Sequence, residues 1–227
     1  MSNSQEIGCF FDFDGVVVDS VGVKKEAFRV LFEPYGDEIL AQVLEHHPHN
    51  GGISRNDKIQ YSHTHFVGAP LSESELEDWG RRYSKLVVDR VIAAPWIRGA
   101  EEFFIEMQGR CRIFVISGTP EDELKRVIAA RKMGHYFNEI LGSPIRKPDH
   151  IRALLAAYQL EPASCLFIGD ALTDYHAARK TGLHFLGVQG DVELPDDARM
   201  LPDCRGLKHA MSEIFPGFDL GQGGTTE

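Results

Sequence analysis

Basic residues are the minority charge in this chain. Lys and Arg number 24 against 34 Asp and Glu, and the formal net charge over 227 residues is −10. A surface of that sign repels nucleic acid and anionic membranes, so neither is expected as a partner. Long apolar runs are also missing, and none reaches the roughly 18 residues of a membrane-spanning helix. The start, MSNSQEIG, has neither the basic nor the apolar region of a signal peptide. Cysteine is scarce, with four residues and no CxxC pair. Cys9, Cys111 and Cys165 fall in or beside strand-like apolar runs and Cys204 in a polar one. That pattern points to free thiols in a reducing, cytoplasmic setting rather than a disulfide frame. Internal repeats are absent, and the Gly/Thr-rich end, residues 221–227, reads as a flexible tail.

What remains is ordinary for a soluble globular protein: 43% hydrophobic and 26% charged residues. The length suits one large domain or a domain carrying a smaller insert. Four short apolar runs without alternation, IGCFFDF (7–13), CRIFVIS (111–117), SCLFIGD (164–170) and HFLGVQ (184–189), have the pattern of strands covered by helices on both faces. Helix-like segments alternate with the later runs. One begins at TPEDEL, with Thr119 as N-cap and Pro120 at the first helical position, and another ends at Gly182. Strand and helix in this rhythm predict an α/β fold, a doubly wound parallel sheet. Residues 20–94 break the rhythm. They contain no convincing strand and read as amphipathic helices over about 22–33, 37–46, 54–66 and 72–93. The predicted organisation is therefore a discontinuous core, 1–19 and 95–220, with a helical cap, 20–94, inserted after the first strand.

Ligands of parallel α/β sheets bind at the carboxyl ends of the strands. The first strand ends in Asp12-Phe13-Asp14-Gly15, the second in Ser117-Gly118-Thr119 and the third in Gly169-Asp170, with Asp174 four residues on. Lys147 opens the helix that leads into the third strand. A lone acid here is usually a turn or helix-start residue. Several acids, a hydroxyl and a lysine converging from four segments fit phosphoryl transfer instead. Clustered carboxylates hold a hard cation such as Mg²⁺, which makes ionised Asp12 and Asp170 tolerable in an apolar setting. A carboxylate can attack phosphorus, and a second can move the proton. Ser117, the amides of residues 118 and 119, and Lys147 can hold phosphoryl oxygens. The histidine-rich stretches HHPHN (46–50) and HTH (63–65) lack acid or thiol partners at ligand spacing and read as polar surface.

In order and spacing, DFDGV, the serine of VISGTP, the lysine of IRKPDH and GDALTD are similar to the motifs of the haloacid dehalogenase superfamily over about residues 7–190. The chain resembles its phosphatase-like branch with an inserted helical cap, among phosphoglycolate phosphatase and β-phosphoglucomutase relatives. The resemblance implies Asp12 as nucleophile and Asp14 as general acid and base. It implies phosphate binding by Ser117, Gly118 and Lys147, with Arg146 as neighbour, and a Mg²⁺ site from Asp12, Asp14 through its carbonyl, Asp170 and Asp174. GGISRNDK in the cap resembles a Gly-x-Ser-Arg element, making Arg55, with Lys24 and Asn50, the expected substrate contacts. The implied function is a phosphatase acting on a small phosphorylated metabolite, a sugar phosphate or a phosphorylated acid, through an aspartyl-phosphate. The alternatives are a sugar-phosphate mutase using the same nucleophile and a catalytically idle binding protein. Lys24 falls where mutases carry a histidine, and Asp14 stands where phosphonoacetaldehyde hydrolases carry alanine.

Overall fold

The computed structural model describes residues 6–218, so the tail lies outside the described residues. The strands β1 (Gly8–Phe11), β2 (Arg112–Pro120), β3 (Glu139–Ser143), β4 (Cys165–Gly169), β5 (His184–Val188) and β6 (Arg199–Leu201) form one parallel sheet in the order β3-β2-β1-β4-β5-β6. Phe10 pairs with Phe114 on one side and Phe167 on the other. Alternate side chains enter two separate cores. Phe10, Phe114 and Phe167 pack under α7 (Lys147–Tyr158) and α8 (Leu172–Thr181). Cys9, Phe11, Ile113 and Ile168 pack under α5 (Ala100–Met107), α6 (Glu121–Ala130) and α9 (Leu207–Ile214). Burial on both faces explains why the central strands read as unbroken apolar runs.

Four helices fill the long connection after β1: α1 (Val21–Phe32), α2 (Asp37–His49), α3 (Arg55–Ser62) and α4 (Glu73–Ala93). Ser54 caps α3 by accepting from the Asp57 amide at 3.2 Å, and Ser72 and Glu75 close a reciprocal cap at the start of α4. An aromatic cluster holds the helices together. Phe28 and Phe32 of α1 meet Tyr83 and Trp79 of α4 with ring centroids 5.2 and 5.1 Å apart. The segments leading into and out of this block run side by side: the Asp19 amide donates to Pro95 O at 2.9 Å and the Ile97 amide to Val17 O at 3.0 Å.

Several expectations change. β3 and β6 were not read from the sequence, because edge strands escape the two-sided burial that makes a continuous apolar run. Thr119 does not cap a helix. β2 runs on through Pro120, α6 starts at Glu121 without a side-chain cap, and Thr119 is released for other use. The segment expected as one helix over 54–66 ends at Ser62 and continues as a wider turn, His63–Val67. Two of the histidines expected at the surface are buried: His47 against Phe28, centroids 4.7 Å apart, and His63 against Trp79 at 4.6 Å. Cys204, though in a polar stretch, is buried, as are the other three thiols, and all four are free.

Phe10 is fully buried, and its ring centroid lies 4.8 Å from that of Phe114. Phe10→Ala should cost about 3–5 kcal/mol in urea unfolding, the range for large aromatic truncations in a packed core. A loss below about 1 kcal/mol would contradict this packing.

Candidate active site

The chain leaves β1 for β2 and β3 on one side, then returns to β4, β5 and β6 on the other. The crevice at this reversal, beyond the ends of β1 and β4, is where a doubly wound sheet binds ligands. Asp12 follows β1 directly, and its amide donates to Ile168 O at 2.9 Å. Its carboxylate is buried beside Lys147, with Nζ 2.9 Å from Oδ1. The same ammonium donates to Asp174 Oδ1 at 2.5 Å, while Asp174 Oδ2 accepts the Ala171 amide at 3.2 Å. Burial would pull the Lys147 pKa down, but the charges of Asp12 and Asp174 raise it above the ordinary lysine value. Lys147 is buried at the first position of α7, whereas its neighbour Arg146 is exposed.

Oxygens of Asp12, Asp170 and Asp174 lie within 4.8 Å of one another. Three carboxylates around one ammonium leave excess negative charge. Burial, followed by the charges of Asp12 and Asp174, lifts Asp170 well above the carboxylate range. Burial and Asp12 lift Asp174 to about 7, against the pull of Lys147. This donor set, all hard oxygens with uncompensated charge, fits a divalent cation of the Mg²⁺ type. The backbone is shaped to the cluster: a Cβ on Gly15, whose φ is +86°, would fall 2.2 Å from Asp170 Oδ2.

The Asp14 carboxylate belongs to a separate network. Its Oδ1 accepts from Ser20 Oγ at 2.6 Å, and its Oδ2 pairs with Lys24 and accepts from Thr119 Oγ1 at 3.2 Å and Ser117 Oγ at 3.4 Å. Burial alone would raise its pKa, but the Lys24 charge and the bonds from Lys24, Ser20 and Thr119 hold it below the usual value. Asp14 is thus ionised. Ser117 also accepts the Thr119 amide, at 3.1 Å.

Helices α1 to α4 close over these groups. Residues 51–53, between α2 and α3, dock on the strand-end loops: Thr173 Oγ1 donates to Gly51 O at 2.7 Å, and a Cβ on Gly118 would meet Gly52 O at 2.5 Å. The cleft between the two halves encloses about 790 Å³ including its solvent-filled mouth, and Asp12, Asp14, Ser117, Gly118, Lys24 and Arg55 are among its lining. Lys24 and Arg55 reach the cleft but are engaged. Arg55 is buried in an ion pair with Glu123 of α6 at 2.7 Å, with Ser84 bridging the two. Asn50, expected as a substrate contact, ends α2; its Nδ2 donates to His46 O at 3.0 Å, and it is not among the residues lining the cleft. The reason is local, since an asparagine at a helix end satisfies a free carbonyl before it can reach a ligand. Sequence reasoning missed Glu123, which looked like one of three acids in a helix's first turn, and Lys58 and His47, which also line the cleft. No residue pattern announces which surface-type charge will be buried.

The family model described as haloacid dehalogenase-like hydrolase matches residues 9–188. A phosphoglycolate phosphatase of Pseudomonas putida is 29% identical over 86% of this chain and 78% of its own length. Among solved structures, a β-phosphoglucomutase from Clostridium difficile superposes with a TM-score of 0.76 at 20% identity, covering 92% of this chain and 97% of that one. CbbY from Rhodobacter sphaeroides, solved with xylulose-(1,5)bisphosphate, superposes with a TM-score of 0.71 at 20% identity, covering 89% and 96%. The chain belongs to the haloacid dehalogenase-like hydrolases, a family of enzymes.

The acid cluster has a measurable signature. An unfolded aspartate titrates at about 4, whereas burial and the charge of Asp12 push Asp174 in the fold up to about 7. Between those values the folded protein keeps a proton that the unfolded chain has lost, so this group makes the metal-free protein less stable as pH rises. Asp174→Asn abolishes that slope. In urea unfolding with a chelator present, the variant should gain on wild type from about pH 4 to about pH 7 and no further above that. A stability difference independent of pH would contradict the crowding of Asp12, Asp170 and Asp174.

Proposed function

We propose that this hydrolase is a magnesium-dependent phosphatase for a small phosphorylated metabolite, working through a phosphoryl group carried on Asp12. The observation that carries the reading is the pairing of two unlike carboxylates at the end of β1. Asp12 lies in the Lys147, Asp170 and Asp174 cluster, and Asp14 sits apart among Ser20, Lys24 and Thr119. Two acids in different environments suit different tasks.

Asp12, Asp170 and Asp174, with the carbonyl of Asp14, would hold Mg²⁺, which when bound supplies charge neutralisation to the phosphoryl oxygens. The Lys147 ammonium, the Ser117 hydroxyl and the Gly118 amide hold those oxygens from the other side. An Asp12 carboxylate oxygen attacks phosphorus as the bond to the ester oxygen breaks. Protonated Asp14 gives its proton to the departing alkoxide, and the resulting carboxylate then takes a proton from water as that water displaces Asp12 and frees inorganic phosphate. Lys24 keeps Asp14 ionised in the substrate-free protein, so the acid step needs Lys24 to withdraw. Lys24 belongs to α1, and opening of the helical block as a cap, residues 20–94, would carry it away, so that Asp14 takes up its proton as substrate enters and before the block closes. The paired segments near 15–20 and 94–98 are the proposed hinges, and closure keeps water out during transfer.

Relatives of known name support the substrate class. A phosphoglycolate phosphatase acts on an ester that also bears a carboxylate, and the CbbY structure holds a bisphosphate. A metabolite with a second acidic group is accordingly the reading adopted for this chain.

The test is release of inorganic phosphate from phosphoglycolate, a panel of sugar phosphates and p-nitrophenyl phosphate. Wild type should need Mg²⁺ and stop on chelation. Asp12→Asn should abolish turnover, and Asp14→Asn should lose on the order of 10² or more. Undiminished activity in Asp12→Asn would refute the mechanism. A ³¹P spectrum showing an isomerised sugar phosphate without free phosphate would make the protein a mutase instead.

A further inference from the structure

Four basic side chains of the helical block, Lys24, His47, Arg55 and Lys58, line the cleft. Lys24 is held by Asp14 and by Thr119 Oγ1 at 2.7 Å. Arg55 is held by Glu123 and Ser84, and its guanidinium also stands 5.1 Å from the Tyr83 ring centroid. His47 is neutral, because burial and the charges of Lys58 and Lys24 push it down to about 2. Lys58 is the exception. It sits one turn beyond Ser54 on α3, is only 8% exposed, and has no carboxylate within 4.0 Å among the described residues. Its Nζ stands 5.9 Å from the ring centroid of Phe28.

A buried ammonium without a counter-ion is costly. Burial and the neighbouring Lys24 draw the Lys58 ammonium down to about 7, and the more distant charges of Asp14, Asp12 and Asp170 only partly oppose this. The chain therefore spends a buried cation on a position where none of its own acids meets it. That cation lines the same cleft as Asp12, across a wall that includes Phe28, Ile53 and Tyr83.

We propose that Lys58 is the specificity-determining cation of the cleft and receives a second anionic group, a carboxylate or a second phosphate, carried by the phosphate monoester a few atoms from the reacting phosphorus. The inference rests on the phosphatase reading and adds the residue that selects the substrate. Arg55 is the poorer candidate, since freeing it would strand Glu123, which is itself buried. The Phe28 and Tyr83 rings line the same cleft as Lys58 and Asp12 and offer an apolar wall to a short spacer.

The experiment compares phosphoglycolate with ethyl phosphate, which has the same chain length and no carboxylate. Calorimetric titration uses the Asp12→Asn protein in Mg²⁺, so that binding is read without turnover. Phosphoglycolate should bind roughly 10- to 100-fold more tightly, the scale of one charge-assisted contact in a dry site. Adding Lys58→Met should bring the ratio of the two affinities close to one, and Lys58→Arg should retain most of it. Circular dichroism unfolding checks that each variant is folded, with Lys58→Gln replacing Met if the latter is not. No preference in the Asp12→Asn protein, or a ratio unchanged by loss of the Lys58 charge because both ligands weaken together, overturns the proposal. Steady-state hydrolysis of the same two esters by wild type separates the readings. Turnover of both without a Lys58-dependent preference refutes this inference alone, and a Lys58-dependent binding preference without any turnover refutes the phosphatase reading alone.

Discussion

Lys147 is one ammonium set among the carboxylates of Asp12, Asp170 and Asp174, all of them where strands β1 and β4 give out. Charges of one sign at this spacing repel strongly wherever water is excluded. The fold nevertheless forces them together, because the acids follow strands whose remaining residues are fully buried. Asp12 cannot move away without dragging Phe10 and Phe11 out of the sheet. Lys147 reaches the group from the first position of α7, and its own burial is tolerable only because Asp12 and Asp174 surround it. The protein thus stores an electrostatic deficit at one place, and that place is where a cation and a phosphoryl group would relieve it.

The helical block matters because it contributes to the same balance. Lys24 offsets Asp14, and Arg55 offsets Glu123, so two of the contacts between block and core are ion pairs facing the cleft. The backbone contacts are equally close. Gly118 and Gly52 touch where no side chain would fit, and Gly52 adopts a φ of +74° that favours glycine. On the proposed reading, opening the block breaks both ion pairs and exposes the acids to water, and a substrate bound before closure keeps Lys24 from returning to Asp14. This couples movement of the block to the protonation of Asp14.

Much of this was legible in the sequence for physical reasons. The central strands showed themselves because burial on both faces demands unbroken apolar runs, and the acids at their ends stood out against that background. The approximate boundaries of α1, α2 and α4 followed from helical periodicity. What stayed hidden was decided by tertiary partners. Thr119 looked like a helix cap until β2 ran on and turned its hydroxyl to Asp14. Arg55 announced itself, but the acid that claims it, Glu123, did not. Asn50 lay close in sequence to the docking loop yet folded back on α2. Lys58 had no distinguishing context at all, since its burial depends on Phe28 and His47 arriving from two other helices.

The central claim is that Asp12, and no other group, takes the phosphoryl group. The most direct measurement is rapid acid quenching during turnover of phosphoglycolate, followed by peptide mass analysis. The account predicts a transient gain of one phosphoryl group on the peptide containing Asp12, appearing before free phosphate and absent from Asp12→Asn. Steady release of phosphate with that peptide unmodified at every quench time, or with the label on another residue, would contradict it.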